Sequence, residues 1–555
     1  MTTWTSDHLY PLAQRVVLSP PLPALPPPLA YSHSRSLRSQ ALPTLQNVTI
    51  LGASDAPNND LSANEKVFLE PGAVVPCIGA VLGVVVAATP EAANELAAKV
   101  ASQVTYTAIP DAAPPIHSLV DAMAAKSTYP DFSPPTVHKG GDIAAALLAA
   151  PKKLAGRIHT GGQKHFYFET HSTVATPLEN NCIEVRSSAQ DLATTQATVA
   201  AVLGLPNNKV RKRTAGERWR ASSAIAASER TLCALWLCVR VAHTVPHLLQ
   251  VHCTQKRAGG GYGGKLARQL PAACAASIAA KVLNRSVALV NNRNADIQMM
   301  GGREPMIIDY EVGFDAAGKL LAVKLHLHVD SGCTGDSGGS AEMGMLWSDN
   351  AYNSECFDCT ATLYKTNLPT NTSCRSPGNI QSCYAMEEIM VRISEAANVP
   401  LLSVQEMNFY KEGDEVPRVA IEPKRGLNLT DVTLQRCWSE LKDVALSASK
   451  KAAVDQFNSS HKFVKRGMAT VPVKYGINGA GYKQLVSISI YSEDGTIHVS
   501  HSGAEIGQGI DTKVVQCISY ALGVDMAMVE VKEQSTFTAP NTGGTGGSAT
   551  SEVVR

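Results

Sequence analysis

"KRAGGGYGGKLAR", residues 256–268, places five glycines in the six positions 259–264. Gly259, four further residues and Gly264-Lys265 reproduce the opening of a phosphate-binding P-loop. That loop next requires Ser or Thr, whose hydroxyl holds magnesium, and this chain has Leu266. A weak strand precedes the stretch, and "ARQLPAACAASIAAKVL" after it reads as a helix. Main-chain amides gathered at a helix start suit an anion, and so many glycines let bare backbone lie flat against a bulky ligand. The stretch therefore sets a strand–loop–helix unit. No aspartate-ending strand for magnesium accompanies it, which leaves the nucleotide reading weak.

The same rhythm extends outward. "IGAVLGVVVAATPEAANELAAKVASQVTYTAI" reads as strand, helix, strand, with Thr89 as N-cap and Pro90 at the first helical position. Ala92, Ala93, Leu96, Ala97 and Val100 then form its apolar face. "TTQATVAAVLGLPNNKVRKR" is a helix stopped by Gly204 and Pro206. Two hairpins follow, turning at residues 315–318 and at Asp494-Gly495. The fold class is α+β (mixed α/β). Residues 1–45, rich in Pro, Ser and Arg, read as an extended or disordered leader. Residues 213–255 lack periodicity and turn signals and read as an insertion.

Composition narrows the partners. The 555 residues are 45% apolar with a net charge of +1, which favours neither nucleic acid nor an anionic membrane. The most apolar stretch, residues 231–252, carries Arg240, His243, Pro246 and His247, each costly in lipid. The first residues lack the basic start and apolar core of a secretory signal. Thirteen scattered cysteines read as free thiols of a reducing compartment, so a cytoplasmic location is expected. The lone C-x-x-C, Cys356 and Cys359, lacks the second pair that a zinc or iron–sulfur site needs.

Three further patterns carry chemistry. "CTGDSGGS", residues 333–340, resembles a serine hydrolase nucleophile loop around Ser337. A nucleophile needs a base oriented by an acid, and His243, His461, His498 and His501 lie in no recognisable context for that role. A plain turn is the stronger reading. "GGQKHFYFETH", residues 161–171, read as a strand, puts His165, Tyr167, Glu169 and His171 on one face and Phe166 and Phe168 on the other. That face could hold zinc or be simply polar. His326 and His328, with Lys324 and Asp330, read as a solvated face. Finally, "GAEIGQGIDTKVVQ" (503–516) and "PNTGGTGGSATSE" (540–552) are two more glycine-rich helix starts. Together with the first they suit one large anionic ligand held by amides from several sides. They also read as three unrelated tight turns.

In order, "GGQKHFYFETH", "GGGYGGK", "YKTNLPTNTSCRSPG", "NFYKEGD", "GAEIGQGIDTKVVQ" and "PNTGGTGG" resemble the molybdenum hydroxylases, the xanthine dehydrogenases and aldehyde oxidases. The resemblance covers about residues 46–212 and 256–555. It implies a hammerhead-like α/β domain over 46–155. The first part of a multi-subdomain molybdopterin-binding region, incomplete here, follows over 156–555. It also implies molybdenum held by the dithiolene sulfurs of a pterin, with no direct side-chain ligand. The implied reaction oxidises an electrophilic carbon, a glutamate acting as general base and electrons leaving through Fe-S centres to FAD. Members are homodimers acting on small molecules.

By the same resemblance, Gln190 matches the glutamine that hydrogen-bonds the molybdenum oxo group. Gly260, Gly261 and Tyr262 match the loop against the metal centre, where Phe is usual in place of Tyr. Arg375 lies beside the cofactor, Gln508 contacts the pterin, and Gly547, Ser548 and Thr550 hold the pterin and its phosphate. Gln190, Tyr262, Arg375 and Gly547 thus border the molybdenum centre. The pocket positions depart from the xanthine-processing members: Leu266 replaces a glutamate, Met343 an arginine, and Cys374 and Pro377 two phenylalanines. A purine would lose its clamp and its polar partners, so the expected substrate class is aldehydes, with N-heterocycles behind it. The resemblance places the general base beyond Arg555 and the Fe-S and FAD parts outside this chain. Turnover by the chain alone is therefore not expected, and with leader and insertion it reads as a partial or mis-assembled gene product. The alternative is a cofactor-binding or interaction module without catalysis.

Overall fold

Nine residue pairs join Met306–Phe314 to Leu320–Asp330 in an antiparallel hairpin, with one register shift near Phe314. The computed structural model describes residues 29–32 (as backbone), 49–62, 65–110, 112–205, 251–419, 428–476 and 483–554. The hairpin is the centre of a six-stranded sheet ordered Arg418–Val419, Val137–Lys139, Cys356–Tyr364, Leu320–Asp330, Met306–Phe314, Lys152–Thr160. Both of its central strands are buried on both faces. Met306, Ile308 and Val312 share a core with Ala385, Ile389 and Ile393 of helix Asn379–Ala397. Ile307, on the opposite face by the two-residue alternation of a strand, packs with Leu119 and Ala122 of helix Leu119–Ala124.

A five-stranded sheet carries the glycine-rich unit. Its order is Val287–Val290, Ser172–Pro177, Ile183–Ser187, Val251–Gln255, Gln534–Ser535. Ser172–Pro177 and Ile183–Ser187 form a hairpin, and Val251–Gln255 joins it in parallel. Helices Leu192–Val202 and Leu270–Leu283 share a core with this sheet. The second has six alanines among its 14 residues and buries ten, because small side chains let it approach both sheet and neighbouring helix. A three-stranded sheet, Val486–Ile490, Ile497–His501, Val529–Val531, packs with helix Ile510–Leu522.

Both expected hairpins form, and Thr89 caps helix Pro90–Ala101 by accepting from the Ala92 amide. Only Leu96 of that helix's apolar face is buried; Ala97 is exposed. Three readings are corrected, and a fourth, the extended leader, gains a pairing partner. The end of the supposed insertion, Val251–Gln255, is a strand buried on both faces, so it shows no alternation; the rest, with His243, lies outside the described residues. Leu29–Ser32 of the leader is a strand paired antiparallel with Thr105–Ala108. The segment 161–171 is a loop, with Phe166 in the left-handed region at φ 49°. The face of His328 and Asp330 is buried beneath helix Leu119–Ala124, with His328 hydrogen-bonded to Tyr364 and Asp309.

Ile389 is wholly buried between helix Asn379–Ala397 and the six-stranded sheet. Ile389→Ala lowers stability by about 2–5 kcal/mol, read as an earlier urea midpoint. A loss below about 0.5 kcal/mol, the range of surface changes, would place Ile389 outside the core.

Candidate functional site

Gln190 follows strand Ile183–Ser187 and precedes Asp191, the N-cap of helix Leu192–Val202. It is buried, and its whole amide is committed to main chain from two distant loops. Its Oε1 accepts from the amides of Gly263 (2.9 Å) and Lys265 (3.2 Å), and its Nε2 donates to the Thr545 carbonyl (2.9 Å). Its backbone joins the same partners, donating to Lys265 and accepting from Thr545, each at 2.7 Å. The first and third glycine-rich loops are thereby fastened to one side chain.

The glycines follow from this closeness. A β-carbon at Gly261 would lie 2.5 Å from Gln190 Oε1, and one at Gly263, at φ 102°, would lie 1.9 Å from the Ser373 carbonyl oxygen. Within the loop, the amides of Gly259, Gly260, Gly263, Gly264, Lys265 and Leu266 all find protein acceptors. Those of Gly261 and Tyr262 have none among the described residues. Tyr262, in the left-handed region at φ 53°, is 40% exposed. In the third loop, the amides of residues 546–548 likewise lack a protein acceptor among the described residues, and Gly547 and Ser548 are exposed. The arrangement offers bare donors from two sides to an acceptor-rich ligand.

Lys265 points the other way. Its fully buried ammonium lies 3.1 Å from Glu169 and over the Tyr167 ring. Burial pulls its pKa down and Glu169 opposes this. A P-loop lysine would face a phosphate, so the nucleotide reading fails on geometry as well as at Leu266. Glu169 also accepts from the Gly259 amide at 2.6 Å; burial pushes its carboxyl up, but Gly259 and Lys265 together bring it below the usual value. Tyr167 donates to Asp296 (2.8 Å), and His171 Nδ1 pairs with Asp296 (3.0 Å). Against its burial, the His171 contacts bring Asp296 down to about 2. His165 Nε2 bonds the Ser373 carbonyl, and burial depresses its pKa to about 4. The polar face expected of residues 161–171 thus exists, built by a loop, while Phe166 and Phe168 are 69% and 91% exposed.

The Arg375 amide donates to the Tyr262 carbonyl at 2.8 Å, bringing the Arg375 turn onto the glycine loop. Buried Arg303 clamps that turn through the carbonyls of Cys374 (3.0 Å), Arg375 (2.6 Å) and Ser376 (3.3 Å). The Arg375 side chain is exposed, whereas buried Cys374 turns its sulfur to Arg303. Pro377 and Met343 are half-buried, and Leu266 abuts the third loop, 3.1 Å from where a β-carbon at Gly544 would stand. Thr550 is buried against Gly503. Gln508 does not join them: its exposed carboxamide closes on its own loop, accepting from Ile506 and donating to Ala504.

The second loop also departs from the anion-binding expectation. Glu505 itself accepts from the amides of Gly507, Gly509 and Asp511 at the start of helix Ile510–Leu522. Arg303 and Glu505 were not singled out from sequence, and Glu169 was read there only as part of a polar face. Each is a single charged letter whose partner is set by the folded chain. Ser337 is fully buried and donates to the Asn371 carbonyl, while His498 and His501 pair with Glu530 and Asp511 and His461 bonds the Phe457 carbonyl. Among the described residues the hydrolase reading has no base.

The fold and site define a protein that leaves main-chain amides of two glycine-rich loops open to an acceptor-rich ligand. A family model described as a molybdopterin cofactor-binding domain matches residues 127–216 and 239–409, and a second of that description matches 440–555. Aldehyde oxidase 3 of Mus musculus is 29% identical over 93% of this chain and 34% of its own length. Xanthine dehydrogenase/oxidase of Felis catus is 31% identical over 91% and 34%. The aldehyde oxidoreductase from Desulfovibrio gigas superposes with a TM-score of 0.70 at 18% identity, covering 94% of this chain and 53% of that one. Quinoline 2-oxidoreductase from Pseudomonas putida 86 gives 0.71 at 17%, covering 95% and 63%. The chain belongs to the molybdenum hydroxylase family and spans about a third of the length of the curated relatives it matches. The first family match leaves residues 217–238 unmatched, inside the expected insertion.

Gln190→Leu strands the Gly263 and Lys265 amides and costs about 1–3 kcal/mol each time a buried donor is left unpaired. Faster hydrogen exchange at 259–265 and 543–548 together is the expected readout; loosening of only one loop would refute the shared fastening. The depressed pKa of His165 carries a pH sign. Between about 6.5 and about 4 the unfolded chain binds more protons than the folded one, so stability is full above that window and falls as pH drops through it. His326, also held near 4 by burial, adds the same slope. His165→Asn therefore flattens, without abolishing, the dependence of urea stability on pH between those values; an unchanged slope would contradict the buried neutral imidazole.

Proposed function

We propose that this chain forms the molybdopterin-binding part of an aldehyde-oxidising enzyme. The observation that carries the reading is the convergence on Gln190. One buried carboxamide holds two glycine-rich loops whose amides at 261–262 and 546–548 lack acceptors among the described residues. Those residues fit a cofactor rich in acceptor atoms, such as a molybdenum-bearing pterin with its phosphate. Gly261, Tyr262, Gly547 and Ser548 would hold the cofactor through their free amides, and Arg375, on the turn that Arg303 clamps, would add its charge from the exposed side. When bound, the molybdenum centre supplies two-electron oxidation of the substrate carbon. The protein's part is to orient that carbon and exclude water. Gln508 and Thr550, folded onto their own surroundings, support the loops that do so.

Leu266, Met343, Cys374 and Pro377 support an aldehyde over a purine. None offers the charged or aromatic partner a flat polar ring requires, and a site without such partners forfeits that selectivity. The relatives do not divide on this point, since aldehyde oxidase and xanthine dehydrogenase match at 29% and 31%. The relatives are about three times as long. The proposed role of this chain is cofactor and substrate binding, with turnover needing further parts.

Expressed in cells with an intact cofactor pathway, the purified chain carries molybdenum and pterin together, and Gly261→Val, with side-chain atoms pressed onto Gln190, carries neither. Absence of molybdenum from the unaltered chain sinks the proposal. Aldehyde oxidation by the chain alone with an artificial electron acceptor would overturn the need for further parts.

A further inference from the structure

Two cysteines 256 positions apart meet behind the glycine-rich stretch: Sγ of Cys77 lies 3.2 Å from Sγ of Cys333. Both are free thiols and half-buried. One segment positions them from two sides. The Asn367 carboxamide donates to the Pro76 carbonyl at 3.1 Å, and the Cys333 amide donates to the Leu368 carbonyl at 3.0 Å. The Thr370 hydroxyl stands 3.5 Å from the Cys333 sulfur. Close by, Arg268, which ends the glycine-rich stretch, makes a two-pronged pair with Glu65 at 2.8 Å and lies 3.5 Å from Asp336. The thiols therefore sit in the same junction that Arg268 holds by charge. Moving the sulfurs together by about 1 Å would reach bonding distance.

We propose that Cys77 and Cys333 are an oxidation site that a low-molecular-weight disulfide converts to an intramolecular disulfide, tying the segment around Pro76 and Cys77 to the loop before helix Gly338–Leu346. Cys333 reacts first. The Cys77 thiol donates to its thiolate and Thr370 adds to this, outweighing burial, so its pKa falls to about 7 while that of Cys77 rises. The Cys333 thiolate attacks one sulfur of oxidised glutathione, forming a mixed disulfide and expelling one glutathione thiolate. Cys77 then passes its proton to solvent and attacks Cys333 Sγ, expelling the second glutathione thiolate. Two protein thiols are oxidised by two electrons, and one glutathione disulfide is reduced to two thiols.

The test treats the full chain with oxidised glutathione under native conditions, followed by non-reducing proteolysis and mass spectrometry. The unaltered protein yields a peptide pair joined through Cys77 and Cys333. Cys77→Ser stops at one glutathione on Cys333, and Cys333→Ser leaves Cys77 unmodified. Circular dichroism verifies that both variants keep the fold of the reduced protein. The proposal is overturned if exposed Cys437 takes glutathione while no Cys77–Cys333 pair forms. It is also overturned if folded Cys77→Ser carries the adduct at Cys437 but not at Cys333.

Discussion

A buried carboxamide must satisfy its donors and acceptors inside the protein, and Gln190 does so with main chain alone. Three of its side-chain hydrogen bonds and two from its backbone reach residues 263–265 and 545, which lie some 70 and 355 positions away. That single requirement fixes the spacing between the two loops. It also explains the glycines: with the loop drawn this tightly onto Gln190 and Ser373, a β-carbon at 261 or 263 has no room. The strand–helix unit of the five-stranded sheet supplies the rigid base, since Gln190 sits at its switch from strand to helix.

Around that junction the charges are sorted inward and outward. Lys265, Glu169, Tyr167, His171 and Asp296 form a buried polar floor beneath the glycine loop. The upper side is left with amides at 261 and 262. A cationic floor neutralised by its own carboxylates adds little field above the loop, so ligand selectivity rests on directed main-chain donors rather than on net charge. The chain's near-neutral balance agrees with this.

Legibility in the sequence followed the range of the physical cause. The hairpins at 315–318 and 494–495 were legible because alternation and turn residues are local. The glycine loops were legible because a missing side chain is written at the position where it matters. Val251–Gln255 was not, because burial on both faces erases alternation. Residues 161–171 alternate in side-chain direction, yet Phe166 turns left-handed and the backbone is pinned at Glu169 to Gly259. Arg303 was invisible because its clamp on residues 374–376 spans 71 to 73 positions. The burial of His328 and Asp330 depends on a helix two hundred residues earlier.

Glu505 has a bearing on how the three loops age when the cofactor is lost. By placing its own carboxylate among the amides of Gly507, Gly509 and Asp511, the second loop is self-sufficient, a sealed brace rather than an open hand. The first and third loops keep unspent donors. Empty protein would therefore soften unevenly, with residues 503–511 holding their shape as a template. The two open loops would loosen around it, because their free amides hold nothing in place.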